Sequence, residues 1–282
     1  MSTLREAYEE GKSVLAGAGI VEAAIDTRLL LEHVMNIGTN DLYAHGDMVL
    51  PFDKLDRYRE LIELRSRHVP LQHITGHQEF MGLDFYVNDK VLIPRQDTEC
   101  LVEEAMIDID DNMRVLDMCT GSGCIIVSLA KYKNNLEAVA VDISPAALEV
   151  AKKNAADNGV NVSFICSDLF AELEDEVFDV IVSNPPYIES AVCETLMPEV
   201  KEHEPRIALD GDEDGLRYYR EIIGGMDSHL VSGGRFYFEI GYNQGEAVSK
   251  LLTDKGYTDI SVVKDLAGLD RVVKGRKKCL IN

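Results

Sequence analysis

The chain has 282 residues, of which 46% are hydrophobic, and it carries a formal net charge of −22. This length is enough for one large domain and one small one. The acidic balance disfavours binding to nucleic acid, because Lys and Arg supply phosphate contacts, although it could also serve only solubility. Without an apolar run long enough to cross a bilayer or an N-terminal signal pattern, we expect a cytoplasmic monomer with no membrane contact and no stable nucleic-acid binding.

The six cysteines are scattered and include no C-x-x-C pair. Several stand in apolar runs, as Cys166 does after residues 162–165. We interpret them as reduced residues that lie mostly in the core.

Residues 1–71 are predicted to form helices, because apolar residues recur at helical spacing. Asp26 is the predicted N-cap of the second helix, and the last helical pattern ends before Pro70. This module is either a recognition element for a partner or a stabilising cap. The apolar face of the first helix is predicted to comprise Leu4, Ala7, Tyr8, Val14 and Leu15.

A linker is predicted at residues 72–94. Alternation from Phe80 to Ile93 indicates a β-hairpin that joins the two parts of the chain. His73 and His77 have the spacing of a metal pair, but Gly76 interrupts them and no third ligand is obvious, so we predict no metal site.

Arg95 precedes a helix that Asp97 or Thr98 could cap. Its guanidinium either pairs with one of the many acidic residues or lies near a ligand. The sequence leaves both interpretations open.

After residue 113, strands and helices alternate. Residues 114–118 are a predicted strand, residues 119–123 a glycine turn and residues 124–132 a helix. A second strand ends at Asp142 and a third at Asp168. This pattern is typical of a doubly wound α/β domain, whose ligands bind at the carboxyl ends of the strands.

The glycine turn indicates a nucleoside ligand. Gly121 and Gly123 let a ligand approach the backbone, and Asp142, at the end of the next strand, suits a carboxylate that holds ribose hydroxyls. A dinucleotide fingerprint would need a small residue where Ile126 stands, so a nucleoside without a pyrophosphate fits better. An ordinary strand-to-helix turn is the alternative.

Asp168 is the next acidic residue along the sheet edge. It could accept a hydrogen bond from an adenine amino group while Ile143 and Leu169 enclose the ring, or it could cap a helix.

A fourth strand, residues 177–182, is followed by an Asn-Pro-Pro-Tyr motif. Because proline cannot donate to a ladder, the chain must leave the sheet here. The Asn184 side-chain oxygen and the Pro185 carbonyl could accept both hydrogens of a planar amide, on which Tyr187 could pack. A positively charged methyl donor would then need no strong general base, and none stands beside the motif. Alternatively, the proline pair only forms a turn.

The last third of the chain continues the alternation. We predict a helix at 216–230, a turn at Gly233 and Gly234, a strand at 235–240 and a helix at 244–252. Strands near 260–263 and 271–273 follow. The basic residues in 274–278 form either a solvated end or a contact to RNA or an acidic partner.

In order and spacing, these motifs resemble those of S-adenosylmethionine-dependent methyltransferases that modify planar nitrogens. Nearly the whole chain resembles the HemK/PrmC family, which methylates the glutamine side-chain amide in the Gly-Gly-Gln loop of class I peptide chain release factors. The resemblance extends over residues 93–99, 204–211, 214–216, 238–241 and 265–273.

The resemblance implies a Rossmann-like α/β fold with a seven-stranded methyltransferase sheet whose last strand is antiparallel, and a small N-terminal helical domain joined to it by a β-hairpin. It implies residues 1–71 as a substrate-recognition domain and residues 72–282 as the methyltransferase domain, with residues 72–94 as linker. It also implies S-adenosylmethionine as cofactor, S-adenosylhomocysteine as product, no metal, and a class I release factor as protein substrate.

Roles follow for single residues from the same resemblance. The turn would bind the methionine part of the cofactor, Asp142 the ribose, and the loops after the second and third strands the adenine. The implied cofactor residues are Asp117, Cys119, Thr120, Gly121, Ser122, Gly123, Asp142, Ile143, Asp168, Leu169 and Asn184. The implied substrate residues are Asn184, Pro185, Pro186, Tyr187 and Arg95, with Asn184, Pro185 and Tyr187 catalytic.

Two positions depart from the family pattern. Cys119 stands where glycine is usual, so the turn needs a backbone conformation open to a non-glycine residue, and Gln96 replaces a proline. Two other functions stay open: an amino methyltransferase acting on adenine, cytosine or guanine in nucleic acid, and a non-catalytic S-adenosylmethionine-binding module.

Overall fold

A computed structural model describes residues 2–279, which divide into two compact units. The first unit runs to Gly76 and also contains Met197–His203, and the second holds the other described residues. The α-helices are α1 (Leu4–Gly17), α2 (Ala23–Met35), α3 (Thr39–Ala44), α4 (Phe52–Ser66), α5 (Leu71–Thr75), α6 (Gln96–Asp108), α7 (Cys124–Tyr132), α8 (Pro145–Asp157), α9 (Ser190–Cys193), α10 (Pro198–Lys201), α11 (Arg217–His229) and α12 (Gly245–Asp254). The strands are β1 (His77–Phe80), β2 (Leu83–Tyr86), β3 (Arg114–Met118), β4 (Glu137–Asp142), β5 (Ser163–Cys166), β6 (Phe178–Ser183), β7 (Leu230–Glu239), β8 (Thr258–Lys264) and β9 (Asp270–Arg276).

The first unit is helical, as predicted. Its helix α1 begins with a capping box, in which Thr3 accepts from the Glu6 amide and Glu6 accepts from the Thr3 amide. Leu4 and Leu15 of the predicted face are buried, but Val14 is 44% exposed, so its assignment to that face was wrong. Residue 14 lies beside the apolar stripe because 3.6 residues per turn rotate it toward solvent.

Asp26 is not an N-cap, and that prediction was wrong. Helix α2 begins three residues earlier, after Glu22, which places Asp26 in its first turn. Asp26 is buried and accepts a hydrogen bond from Arg65 Nε at 2.7 Å. Arg65 also pairs with Glu199 at 2.8 Å, so the buried charges of this unit compensate one another.

The second unit contains a seven-stranded sheet in the order β5-β4-β3-β6-β7-β9-β8. The five strands from β5 to β7 are parallel, whereas β9, the last strand of the chain, is antiparallel to β7 and β8. The predicted fold class is therefore confirmed. Apolar residues on both faces pack against helices, as buried parallel strands require.

Register aligns the ends of four strands. Met118 of β3 pairs with Val141 of β4 and with Ser183 of β6, and Asp142 pairs with Cys166 of β5. The loops that follow these strands therefore leave the sheet at one edge.

A hairpin is present as β1 and β2, but the predicted bounds were wrong, because it spans residues 77–86 and residues 87–93 form no strand. Its two-residue turn, Met81 and Gly82, has φ values of 53° and 70°, which a type I′ turn requires. His77 Nδ1 pairs with Asp84 at 2.8 Å across the hairpin. Residues 2–279 contain no cluster of three or more His, Cys, Asp or Glu side chains arranged to hold a metal ion.

Two predictions about the sheet were wrong. Gly233 and Gly234 do not form a turn before the fifth parallel strand, because β7 already begins at Leu230 and passes through them with a shifted register against β6. Cys166 is exposed because β5 is an edge strand, although Cys124 and Cys193 are buried and all six cysteines are free. Within the described part of the chain, no helix has the length and apolar character needed to cross a membrane.

Candidate active site

One cavity in the second unit lies at the edge where β3, β4 and β6 end. Its volume is about 940 Å³, open solvent at its mouth included. It brings together many predicted site residues from separate loops: Cys119, Thr120, Gly121, Ser122, Asp142, Ile143, Asp168, Leu169, Asn184, Pro186 and Arg95. Four other predicted site residues do not line it: Asp117, Gly123, Pro185 and Tyr187.

The turn after β3 has a left-handed backbone at three positions. The φ values are 64° at Cys119, 55° at Gly121 and 80° at Gly123. For a non-glycine residue this region costs about 1–2 kcal/mol, so Cys119 carries a conformational cost. A Cβ at Gly123 would lie 3.0 Å from the Cβ of Ala151 in α8, so a small residue is also needed for packing.

The Asp142 carboxylate is fixed by two backbone amides. Gly121 N donates to Oδ2 at 2.8 Å, and Ser144 N donates to Oδ1 at 2.9 Å. Burial raises the pKa of this carboxyl, while the bonds from Ser144 and Gly121 oppose that shift. The result is an oriented acceptor pair at the cavity, which fits the two hydroxyls of a ribose.

Asp117 lies fully buried beneath the turn. Burial raises its pKa to about 7, although the Thr120 hydroxyl donates to Oδ2 at 2.6 Å. Its Oδ1 has no hydrogen-bond partner among the described residues. Asp117 therefore supports the turn from below.

The loops after β4 and β5 present a mixed apolar and acidic surface. Ile143 is 49% exposed, Leu169 is half-buried and the exposed Asp168 stands next to Leu169. Ser167 Oγ donates to the Leu169 carbonyl at 2.8 Å, which fixes this loop at a residue with φ of 50°. Apolar side chains beside a carboxylate fit a flat ring that carries an amino group.

The Asn-Pro-Pro-Tyr loop follows β6 directly. Asn184 lines the cavity, and its Nδ2 donates to Thr98 Oγ1 of α6 at 3.3 Å. Tyr187 donates its hydroxyl to Glu239 Oε1 of β7 at 3.4 Å. Gln244 Nε2 donates to the Tyr187 carbonyl at 3.0 Å.

Gly215 packs tightly against this loop. Its φ is 67°, and a Cβ there would stand 2.3 Å from the Tyr187 carbonyl oxygen. Only glycine combines this backbone with this approach.

Glu239 is a buried carboxyl behind the loop. Burial raises its pKa to about 7, against the opposing effects of Thr98, Arg271 and Tyr187. Sequence reasoning did not identify Glu239, Thr98 or Gln244 as site residues. Of these three residues, only Glu239 stands out in the amino-acid sequence, because it is the one acidic residue in the apolar run from Phe236 to Ile240.

Arg95 forms the ion pair that the sequence left as one of two possibilities. Its Nη2 lies 2.5 Å from Glu204 Oε2, and the Ile93 amide donates to Glu204 Oε1 at 3.3 Å.

The expected cap of α6 by Asp97 or Thr98 was wrong, because the helix already begins at Gln96. Thr98 instead lies buried in the first turn, and Asp97 pairs with Arg271 at 3.0 Å.

This sheet order, with a glycine turn after β3 and acidic residues after the next two strands, defines an α/β methyltransferase. The family model described as methyltransferase small domain matches residues 96–201. A solved methyltransferase from Pyrococcus furiosus shares the fold, with a TM-score of 0.54 and 17% identity over 71% of this chain and 91% of that one.

The particular family follows from matches along nearly the whole chain. The PrmC N-terminal domain model matches residues 6–76. Release factor glutamine methyltransferases from Geobacter sulfurreducens and Clostridium botulinum are 42% and 40% identical to this chain, each over 97% of it and over 96% and 99% of their own lengths. The chain belongs to the release factor glutamine methyltransferase family.

Proposed function

We propose that this protein transfers a methyl group from S-adenosylmethionine to the side-chain amide nitrogen of the glutamine in the Gly-Gly-Gln loop of class I peptide chain release factors. The observation that carries the proposal is the position of Asn184. Its side chain lines the same cavity as the oriented Asp142 carboxylate, with its Nδ2 bonded to Thr98. The Asn184 side chain, whose amide oxygen can accept a hydrogen bond, thus stands beside a pocket that fits a nucleoside.

The residues of the cavity fit the cofactor. Asp142 would hold the ribose hydroxyls, Asp168 the adenine amino group, and Ile143 and Leu169 the adenine faces. The turn from Cys119 through Thr120, Gly121 and Ser122 to Gly123, supported by Asp117, would hold the methionine part. When bound, S-adenosylmethionine supplies an electrophilic methyl group and leaves as S-adenosylhomocysteine.

The Asn-Pro-Pro-Tyr loop would orient the acceptor. An amide nitrogen is a poor nucleophile because its lone pair is delocalised. Asn184 Oδ1 and the Pro185 carbonyl would accept its two hydrogens and aim the lone pair at the methyl group, while Pro186 and Tyr187 pack on the amide. The proton can leave after positive charge has formed on the nitrogen, so the loop needs no strong general base.

We assign roles to the two domains and to Arg95. Residues 1–71 would act as the recognition domain, residues 72–94 as linker and residues 72–282 as the methyltransferase domain. The PrmC N-terminal domain match over residues 6–76 supports this division. Arg95, at the rim of the cavity and paired with Glu204, would contact the protein substrate near the glutamine.

The test is methyl transfer from labelled S-adenosylmethionine to three acceptors in parallel: a purified class I release factor, the same factor with its loop glutamine replaced by alanine, and a mixture of rRNA and DNA. Label only in the intact factor supports the proposal. Label in nucleic acid would overturn the substrate assignment, and label in the glutamine-free factor would overturn the assigned position.

A further inference from the structure

Two buried polar side chains lie behind Asn184, and the proposed reaction assigns them no role. Thr98 and Glu239 are each 2% exposed, although they belong to different elements, α6 and β7. Thr98 Oγ1 accepts from Asn184 Nδ2 at 3.3 Å, and Glu239 Oε1 accepts from the Tyr187 hydroxyl at 3.4 Å. Both buried groups are thus connected to the Asn-Pro-Pro-Tyr loop.

The hydrogen bonds of Thr98 and Glu239 show which groups donate and which accept. A threonine hydroxyl has one proton to donate, and an ionised carboxylate can only accept. Glu239 Oε1 accepts from the Tyr187 hydroxyl, and Glu239 Oε2 has no hydrogen-bond partner among the described residues. Thr98 Oγ1 is the acceptor in its bond with Asn184, so Asn184 uses its Nδ2 there. Because a buried polar group without a partner is costly, this bond holds the Asn184 amide in one orientation.

The consequence falls on Asn184. Its side chain can donate through Nδ2 or accept through Oδ1, and the bond to Thr98 uses Nδ2. We infer that Thr98 and Glu239 are positioning residues, an inference that rests on the proposed function: Thr98 fixes the Asn184 amide with its oxygen toward the methyl acceptor, and Glu239 holds Tyr187. The reversed amide would present hydrogens to the acceptor's own hydrogens and lose the orienting bond.

The charge state of Glu239 sets how strongly it holds Tyr187. The charged and titratable groups around it are Asp97 of α6, Cys124 of α7, Tyr219 of α11, Arg271 of β9 and Tyr187, and Arg271 is itself paired with Asp97 and Asp265. Burial outweighs them and raises the pKa of Glu239 to about 7. Below that pH the protonated carboxyl is a weaker acceptor for the Tyr187 hydroxyl, so the Asn-Pro-Pro-Tyr loop is held less firmly. Turnover is therefore expected to fall as the pH drops through about 7.

The first test removes the hydroxyl and keeps the side-chain shape. Thr98→Val should lower kcat about 10-fold, since one orienting hydrogen bond is lost, while the Kd for S-adenosylmethionine stays unchanged. Thr98→Ser should restore most of the lost activity. Thr253→Val, at an exposed helical threonine far along the chain in α12, is the matched control and should leave kcat unchanged.

A double-mutant cycle separates positioning from general damage. If Thr98 acts through Asn184, Thr98→Val should cause no further loss of kcat in an Asn184→Ala background. The same 10-fold loss in both backgrounds would overturn the inference.

The pH profile tests Glu239. Glu239→Gln cannot ionise, so the fall in kcat below about pH 7 should disappear at a lowered plateau. Persistence of that acidic limb would show that another group causes it and would overturn the role of Glu239.

A readout without turnover keeps this inference apart from the proposed function. The side-chain NH₂ signals of Asn184 can be assigned in a ¹⁵N NMR spectrum by their absence in Asn184→Ala. Thr98→Val should shift them and speed their exchange with solvent, whereas Thr253→Val should not. Unchanged signals would refute the positioning role even in an active enzyme, and shifted signals would support it even if no release factor were methylated.

Discussion

The loops proposed for the cofactor and the loop proposed for the methyl acceptor line the same cavity, yet they are held by different kinds of contact. Asp142 is fixed by amides of Ser144 and Gly121, which lie 2 and 21 positions away in the chain. Asn184 is held by Thr98 across 86 positions, and Tyr187 by Glu239 across 52. The cofactor side depends on backbone amides of the adjoining loops, and the acceptor side depends on side chains that are distant in the sequence.

This difference predicts two kinds of mutational effect. Changes on the cofactor side should weaken the affinity for S-adenosylmethionine, and changes on the acceptor side should lower turnover with that affinity intact.

The largest effect is expected at Gly215. In Gly215→Ala, the new Cβ would meet the Tyr187 carbonyl oxygen at 2.3 Å, on a backbone with φ of 67°. We expect a loss of about 3–5 kcal/mol in the free energy of unfolding, from overpacking together with left-handed strain. Urea denaturation measures this.

Gly256→Ala is the matched control for that change. Gly256 has φ of 89° but open space around its Cβ position, so only the strain of about 1–2 kcal/mol applies. Equal losses in the two variants would show that Gly215 does not support the acceptor loop through close packing.

Asn184→Ala tests the acceptor side directly. Removing the orienting oxygen should lower kcat by about 100-fold or more, equivalent to about 2.7 kcal/mol, while cofactor affinity survives. Single-turnover kinetics and calorimetric titration of S-adenosylmethionine measure the two quantities. Unchanged turnover would remove Asn184 from its proposed role, and loss of cofactor affinity would erase the contrast between the two sides.

Asp142→Ala tests the cofactor side, where we expect the opposite pattern of effects from that of Asn184→Ala. Loss of the oriented acceptor pair should weaken cofactor affinity by about 1–3 kcal/mol. The rate at saturating cofactor should change much less than in Asn184→Ala. A Kd that stays the same would contradict the ribose contact.

The same contrast explains how far the sequence could predict this site. The strands that end at Met118, Asp142 and Ser183 are visible as apolar runs, and parallel pairing brings their ends to one edge. The amino-acid sequence alone therefore suffices to place Cys119, Asp142 and Asn184 at one cavity. The comparisons with relatives confirmed the family that these motifs indicated.

The acceptor side was harder to predict because its supports pair across the fold. Nothing local distinguishes Thr98 from a cap of α6 or Gln244 from the start of α12, since their partners stand 86 and 57 positions away. Tertiary contacts that the sequence does not show also explain the wrong predictions. Asp26 became a buried partner of Arg65 instead of a cap, and Cys166 became exposed at a sheet edge.

The smallest expected effect concerns the backbone of Cys119, where the sequence departs from the usual glycine. With φ of 64°, Cys119→Gly should be more stable than Cys119→Ala by about 1 kcal/mol, since only glycine adopts this region without strain. At Cys124, the first residue of helix α7, the order should reverse, because glycine has a lower helix propensity than alanine and would leave the buried Cβ position empty. Urea denaturation of the four variants gives both differences. If the alanine variant were more stable than the glycine variant at both positions, the turn would carry no left-handed strain. The glycine that is usual at position 119 would then be explained by close approach of a ligand to the backbone.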